Sequence, residues 1–272
     1  MRITDLLNPQ SVRLGAAAAD KAAAIDTLIA LQEKGGHLAD KAAYREAILA
    51  REGQGSTAIE AGIAVPHAKS EAVKTPGLAA MTLAEGVDYG AADKQPSDLF
   101  FMIAAPLDGN LHLEILSRLM VLLMDPGFAA KLRGAKTPEA FLAAIDEAEA
   151  VEEASMVLSL CQGYNIGYPI FFDTEKVAGD TGRADNISKA ERTACAVAFC
   201  ETIRNAGYQA GVYSYASWFY NQLNLANLGK YKIWIAQYRD TLSFNSRYDI
   251  WQYSSKGSVP GIPKAVDMNI GY

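Results

Sequence analysis

Gly62-Ile63-Ala64-Val65-Pro66-His67-Ala68-Lys69 is a short apolar run that ends on a proline and a histidine. Ile63-Ala64-Val65 suits a strand. Proline fixes its own φ and restricts the residue before it, so the imidazole of His67 is held at a strand end. The surroundings alternate between helix and strand. Upstream, Asp20 can cap a helix that runs to about Lys34 and stops at Gly35-Gly36, with Ile25, Leu28, Ile29 and Leu31 on one stripe. Asp40 can cap a second helix through Ala43, Ile48 and Leu49. Downstream, Ala79 to Leu83 and Leu99 to Ile103 suit strands, and a helix over about Leu111–Met124 ends at Asp125-Pro126. Thr137-Pro138 fits the N-cap and first-turn proline of a last helix to about Glu149. This order predicts an α/β sandwich with a mixed sheet.

The chain has 272 residues, 50% of them hydrophobic and 21% charged. At roughly 100–200 residues per domain this predicts two domains or one large one, and the composition excludes disorder, collagen-like repeats and a small disulfide scaffold. A net charge of −6 argues against a general nucleic-acid binder, because phosphate contacts need clustered Lys and Arg. The averages hide a division near residue 150. Only 6 of the 25 aromatics (Tyr44, Tyr89, Phe100, Phe101, Phe128, Phe141) precede it. Residues 1–150 carry 14 Lys and Arg against 20 Asp and Glu, whereas residues 151–272 carry 11 of each. All three His (His37, His67, His112) lie in the first part and all three Cys (Cys161, Cys195, Cys200) in the second. Two chains with separate histories would look like this. The cysteines have no metal-like spacing and read as reduced, partly buried thiols, so neither metal nor cofactor is expected. Met1 to Asp5 leads into no apolar core of signal-peptide length. Charge interrupts every apolar stretch well before the roughly 18 residues of a membrane span. The expectation is a cytoplasmic protein with no membrane insertion.

The second part alternates with a different texture. A helix over about 151–162 precedes a strand at Tyr168–Asp173, and a loop with Gly179, Gly182 and Asp185 follows. Ser188 and Glu191 form a capping-box pattern for a helix to about Asn205. Gly211 to Ser214 reads as a strand, 216–225 as a short helix, and Lys232 to Gln237, Asp249 to Tyr253 and Ala265 to Met268 as three further strands. Five strands with helix or loop crossovers are the pattern of part of a barrel. No Pro- or Ser-rich linker separates the parts; Ala143–Ala154 is Ala/Glu-rich and compatible with continuous helix.

A histidine titrates near neutrality, has two distinct ring nitrogens, and can act as a nucleophile if a second group fixes its tautomer. His112, near the start of a helix, is a candidate for that group; both also read as ordinary half-buried histidines. His37, after Gly35-Gly36, reads as a surface or C-capping residue. The motifs Arg51-Glu52, Gly55-Ser56-Thr57, Gly62 to His67 and His112-Leu113-Glu114-Ile115-Leu116-Ser117-Arg118-Leu119 resemble the enzyme IIA domain of the fructose/mannitol class of the bacterial phosphotransferase system. The resemblance spans residues 1–148. It implies that His67 accepts a phosphoryl group from phospho-HPr and passes it to a cysteine on a IIB domain. It also implies that His112 supports His67 and that Arg51 lies near the phosphate. Such transfer needs in-line positioning and neutralised oxygens. Arg51 suits an anion clamp, and Ser56 and Thr57 hydroxyls or backbone N–H groups after Pro66 are candidate donors. In Ile59-Glu60-Ala61 this chain departs from the Gly or Asn that many members carry before the Gly-Ile-Ala run, and Glu60 sets a negative charge near the expected phosphate site.

Asp173-Thr174-Glu175 ends an apolar strand with two carboxylates at i and i+2, which share a face. Such a pair at a strand's C-terminal end suits glycosidic cleavage, one carboxyl protonated and the other charged; it also suits a solvated strand end. Gly207 to Ser214, Trp234-Ile235-Ala236-Gln237-Tyr238, Ile250 to Ser255 and Val266-Asp267-Met268-Asn269 resemble successive strands of the family 25 glycoside hydrolases, barrel muramidases. The resemblance covers residues 151–272, about the last five strands of a (β/α)8 barrel. It implies catalysis by Asp173 and Glu175, Glu175 being the acid/base, with Asp267 in the same cleft and Tyr213, Trp234 and Trp251 lining a glycan groove. As bare features these aromatics read equally as core. A barrel without three strands has two open edges and an exposed interior.

The two resemblances describe a fusion or chimera. Phosphoryl transfer through His67 is the leading function, peptidoglycan hydrolysis by Glu175 with Asp173 the alternative, and a non-catalytic glycan- or protein-binding module the third.

Overall fold

The computed structural model describes residues 2–179, 182 and 184–272. The chain divides into two compact units, Met1–Asp146 and Glu147–Tyr272.

The first unit contains strand β1 (Val12–Ala16), helices α1 (Lys21–Lys34) and α2 (Lys41–Gly53), strands β2 (Ile63–Ala64), β3 (His67–Lys69), β4 (Gly77–Val87) and β5 (Ser97–Ala105), and helices α3 (Leu111–Leu123) and α4 (Pro126–Gly134). A long helix, α5 (Pro138–Cys161), follows. Both expected caps form: Asp20 accepts from Ala23 N at 2.8 Å and Asp40 from Ala43 N at 3.0 Å. The sheet runs β1-β4-β5-β2, with β3 also on β5. It is mixed, because β4 and β5 are antiparallel while β1, β2 and β3 each pair in parallel. One face packs Ile25, Leu28, Tyr44 and Ile48 of α1 and α2 against Met81, Phe100 and Met102. On the other, Phe101 meets Phe141 of α5 with ring centroids 5.8 Å apart. This is the expected α/β sandwich.

Two local differences from the sequence reading have simple causes. His67 follows a strand and a proline as read, but it also opens a second strand of its own. Pro66 has no N–H to donate, so the ladder to β5 is interrupted, and it resumes at the His67–Ile103 pair. Asp125-Pro126 both ends α3 and starts α4, since the Asp125 carboxylate accepts from Gly127 N at 2.8 Å and proline tolerates a first helical turn. As the Ala/Glu-rich stretch Ala143–Ala154 allowed, α5 joins the helices expected at 138–149 and 151–162 into one, since nothing there breaks a helix.

The second unit contains β6 (Ile170–Asp173), α6 (Lys189–Asn205), β7 (Ala210–Tyr215), α7 (Ala216–Asn221), β8 (Lys232–Ala236), β9 (Ile250–Gly257) and β10 (Val266–Gly271). Its sheet has the order β10-β9-β8-β7-β6. The strands β6 to β9 pair in parallel and β10 is antiparallel to β9. The stretch 258–265 is too short for the crossover that a parallel strand requires. Ser188 and Glu191 close the expected capping box on α6. Phe199, Cys200 and Ile203 of α6 bury Val212, Ile233, Ile235 and Trp251 on one sheet face. Asp180, Thr181 and Arg183 of the glycine-containing loop lie outside the described residues.

Candidate functional sites

His67 is half-buried at the start of β3. Its Nδ1 lies 2.8 Å from the carbonyl oxygen of Val65. A carbonyl only accepts, so Nδ1 carries the proton, and in the neutral ring the lone pair is on Nε2. Val65 is itself held, because its N–H donates to Thr57 O at 3.0 Å. From the other side, Tyr44, fully buried on α2, donates to the carbonyl of Ile103, the β5 partner of His67, at 2.9 Å.

His112, on the first turn of α3, comes close enough to feel His67 and Lys69. Desolvation, then the Lys69 ammonium, then His67, hold its pKa below the usual 6.5. Lys69 donates to Gly109 O at 2.9 Å, in the loop that leads into α3. Sequence reasoning assigned Lys69 no role, although its position two residues after His67 puts it on the same face of β3.

Other candidates sit differently. Arg51 ends α2 and donates to Gly55 O at 3.0 Å. The hydroxyl of Ser56 donates to Tyr89 O at 2.6 Å. That of Thr57, which is buried, donates to the Glu52 carboxylate. Both hydroxyl hydrogens are therefore committed within the protein and are not free for a phosphate. Glu60 lines an apolar cavity of about 440 Å³ with Ile63, Met120, Met124 and Arg133. Ala61 has φ +60° and Gly62 φ +73°, both left-handed. The turn is clamped by Arg133, which donates to Ala61 O at 2.7 Å and grips Asp98 with its Nε and Nη2. Glycine or asparagine suits such a backbone better than alanine. His37 approaches Thr75 Oγ1 at 3.4 Å, and burial lowers its pKa.

In the second unit, Asp173, Tyr213, Trp234 and Ile250 are successive register partners across β6 to β9 and share one face. Trp234 packs edge-on against Tyr213 and Phe171 with centroids 4.8 and 5.2 Å away. Its Nε1 donates to Asn269 Oδ1 at 2.9 Å. Tyr213 and Tyr238 both donate to Gln252 Oε1, at 2.9 and 2.8 Å. Thr174 is buried on the opposite side, so Asp173 and Glu175 point to the aromatic face together. Desolvation by its neighbours, then the Glu175 carboxylate, push the Asp173 carboxyl up to about 6. Glu175 also engages Tyr215 by a hydrogen bond, which, after desolvation, pushes that phenol up to about 12. Trp251 does not line this face. It lies 8% exposed in the helix-covered core, with its Nε1 donating to Gln237 O at 2.9 Å, because strand alternation turns it away from Ile250 and Gln252. Asp267 sits on the exposed surface of β10, four interstrand spacings of about 4.8 Å from β6, so strand adjacency alone does not join it to Asp173. Among the described residues, no three His, Cys, Asp or Glu side chains converge as metal ligands. No helix among them is long and apolar enough to cross a membrane.

Comparison with known proteins resolves the first unit. Residues 5–148, more than half the chain, match the phosphoenolpyruvate-dependent sugar phosphotransferase system, EIIA 2 family. The chain belongs to that family. A fructose-specific EIIABC component of Bacillus subtilis is 43% identical over 148 residues, which are 54% of this chain and 23% of the relative. The chain thus spans about a quarter of that relative's length. A fructose-specific EIIA component of Haloferax volcanii is 38% identical over 51% of this chain and 93% of its own length. In structure, the nitrogen regulatory protein IIA-Ntr of Neisseria meningitidis matches 53% of this chain and 98% of its own, with a TM-score of 0.50 and 26% identity. Residues 135–262 match the glycosyl hydrolases family 25. The two matches overlap at 135–148, mostly within α5. The EIIA-family unit therefore contains the His67, His112 and Lys69 cluster, and the family 25 match contains Asp173, Glu175 and the aromatic face.

Proposed function

We propose that residues 1–148 form a phosphocarrier domain whose His67 Nε2 accepts a phosphoryl group from phospho-HPr and delivers it to a IIB cysteine. The observation that carries this reading is the bond from His67 Nδ1 to the Val65 carbonyl, which in the neutral ring leaves the lone pair on Nε2. As the Nε2–P bond forms, the bond from phosphorus to the donor breaks and its electron pair stays on the donor. On delivery the IIB sulfur bonds to phosphorus, and the N–P electron pair returns to Nε2. The Nδ1 proton is held throughout, and the Val65 carbonyl stabilises the positive charge that phosphorylation develops on the ring. Lys69 and Arg51 supply cations for the phosphoryl oxygens, the main need of such a transfer. His112, kept neutral by its surroundings, supports the same group through its ring. The reading makes the protein cytoplasmic, where phospho-HPr is found. Both named relatives are fructose components, so fructose is the first sugar to test. Incubation with phosphoenolpyruvate, enzyme I and HPr followed by intact-mass measurement is expected to show one acid-labile phosphoryl group, absent in His67→Ala. Folded wild-type protein that stays unmodified would overturn the reading.

A second reading concerns residues 151–272. Asp173 and Glu175 on one aromatic face, within a family 25 match, support hydrolysis of peptidoglycan glycan, with Tyr213 and Trp234 as stacking surfaces. The carboxyl that its surroundings bias toward the protonated form is Asp173, whereas the resemblance makes Glu175 the acid/base. Loss of turbidity of a peptidoglycan suspension, abolished by Glu175→Gln, tests it; retention of glycan without turnover would favour a binding module instead.

A further inference from the structure

The nucleophile of the first unit is held through a relay that begins at a buried carboxylate on a different element. Glu52, on the last turn of α2, has a side chain only 4% exposed. Three groups satisfy it. Lys21 Nζ lies 2.6 Å from Oε2, Thr57 N donates to Oε2 at 3.3 Å, and the Thr57 hydroxyl donates to Oε1. Thr57 in turn accepts from Val65 N at 3.0 Å, and Val65 O accepts from His67 Nδ1 at 2.8 Å. A buried carboxylate holding both the N–H and the hydroxyl of one residue fixes that residue's backbone on both sides of its Cα. Here the Thr57 carbonyl, in the next peptide, holds the N–H of Val65, and the carbonyl on the other side of the Val65 Cα selects the His67 tautomer. Lys21 balances the charge of the carboxylate and stacks on Tyr89 at 4.3 Å from the ring centroid.

We propose that Glu52 is a positioning residue for phosphoryl transfer, acting through Thr57 and Val65 to keep the proton of His67 on Nδ1 and the lone pair on Nε2. The proposal rests on the carrier reading for its consequence, but its structural content is independent of it. A carboxylate that merely stabilised the fold would change melting temperature without touching the ring of His67.

The experiment is nitrogen-15 NMR of the three histidine rings in the full chain, assigned with single His→Gln variants, beside phosphorylation rates with phosphoenolpyruvate, enzyme I and HPr. Wild type is expected to show His67 as the Nδ1–H tautomer. In Glu52→Ala and in Thr57→Val, the spectrum moves toward the Nε2–H form and phosphorylation slows roughly 10- to 100-fold, the usual consequence of misplacing a reacting atom. Thr57→Ser, which keeps the hydroxyl, restores both. The proposal is overturned if His67 keeps its Nδ1–H signature and its rate in Glu52→Ala and Thr57→Val. Should Glu52→Ala fail to fold, the contrast between Thr57→Val and Thr57→Ser decides alone, and an unshifted ring in Thr57→Val overturns the relay. Absence of phosphorylation in wild type would instead remove the carrier reading, while the ring spectra would still decide whether Glu52 governs the tautomer.

Discussion

At the scale of single residues, the two candidate sites differ in how they make a reactive group available. His67 is prepared by a hydrogen bond that withholds one nitrogen, whereas Asp173 is prepared by withholding solvent and adding a neighbouring charge. His112→Ala should leave His67 able to take phosphate but slow the transfer roughly tenfold or more, because a group that orients the phosphoryl oxygens is lost; stopped-flow quench of the phosphorylation reaction measures it. The ring of His112 should titrate below 6.5 by NMR, since burial, Lys69 and His67 all oppose its protonation. For Asp173 the folded value lies above the ordinary 3.8, so the folded state binds its proton more tightly than the unfolded chain does. The stability associated with that proton is present at low pH and is lost as pH rises from about 4 through about 6. Asp173→Asn should therefore stabilise the protein at pH 7 and not at pH 4. The gain should be about 1 kcal/mol by urea denaturation, a modest figure because the carboxylate is only partly shielded and water still screens it. In Glu175→Gln, the Asp173 midpoint should fall, as one of its two causes is removed.

At the scale of elements, the turn between α2 and β2 controls where His67 stands. Ala61 and Gly62 both occupy left-handed backbone, with Ile59 N donating to Ile63 O at 2.8 Å across the turn. An L-residue with a β-carbon is strained there, so Ala61→Gly should raise stability by about 0.5–1 kcal/mol, read as an upward shift of the urea midpoint at unchanged slope. The reverse change at Gly62 should destabilise, since a β-carbon would approach Pro96 O at 3.1 Å as well as strain the backbone. Tyr44→Phe removes the only side chain seen donating to Ile103 O among the described residues. It should cost about 1–2 kcal/mol, the usual consequence of a lost buried hydrogen bond, without abolishing phosphorylation.

At the scale of the whole molecule, the chain joins a sandwich of complete topology to a five-stranded sheet with two terminal strands, β6 and β10. We propose that residues 1–148 fold and act alone. That fragment should accept phosphate at His67 at the rate of the full chain, and calorimetry of the full chain should show two transitions rather than one. Limited proteolysis should cut in 162–169, where Gly163 has φ +83°, rather than in 145–155, because α5 protects that stretch as continuous helix. A single cooperative transition with no early cut would remove the two-domain reading. In residues 151–272, Ile170-Phe171-Phe172 forms a terminal strand with apolar side chains, a liability for edge pairing. The isolated fragment should self-associate with concentration by light scattering, and Phe171→Lys should suppress it.

Much of this was legible in the residues because it is governed by local physics. Caps at Asp20, Asp40 and Ser188, the apolar stripe of α1, the proline beside His67 and the compositional break near residue 150 each act over a few residues or over simple averages. The two domains were named by resemblance, the first through its histidine motifs and the second through the strand motifs from Gly207 to Asn269. What the tertiary structure alone decided were partnerships across long separations. It committed the Thr57 hydroxyl to Glu52, turned Trp251 into the helix-covered core, brought Lys69 to His112, and raised Asp173 but not through Asp267. A residue's type states which bonds it is able to make. Which partner it meets, and how much water is excluded there, depends on strands and helices far apart in the chain, and no short-range pattern carries that information.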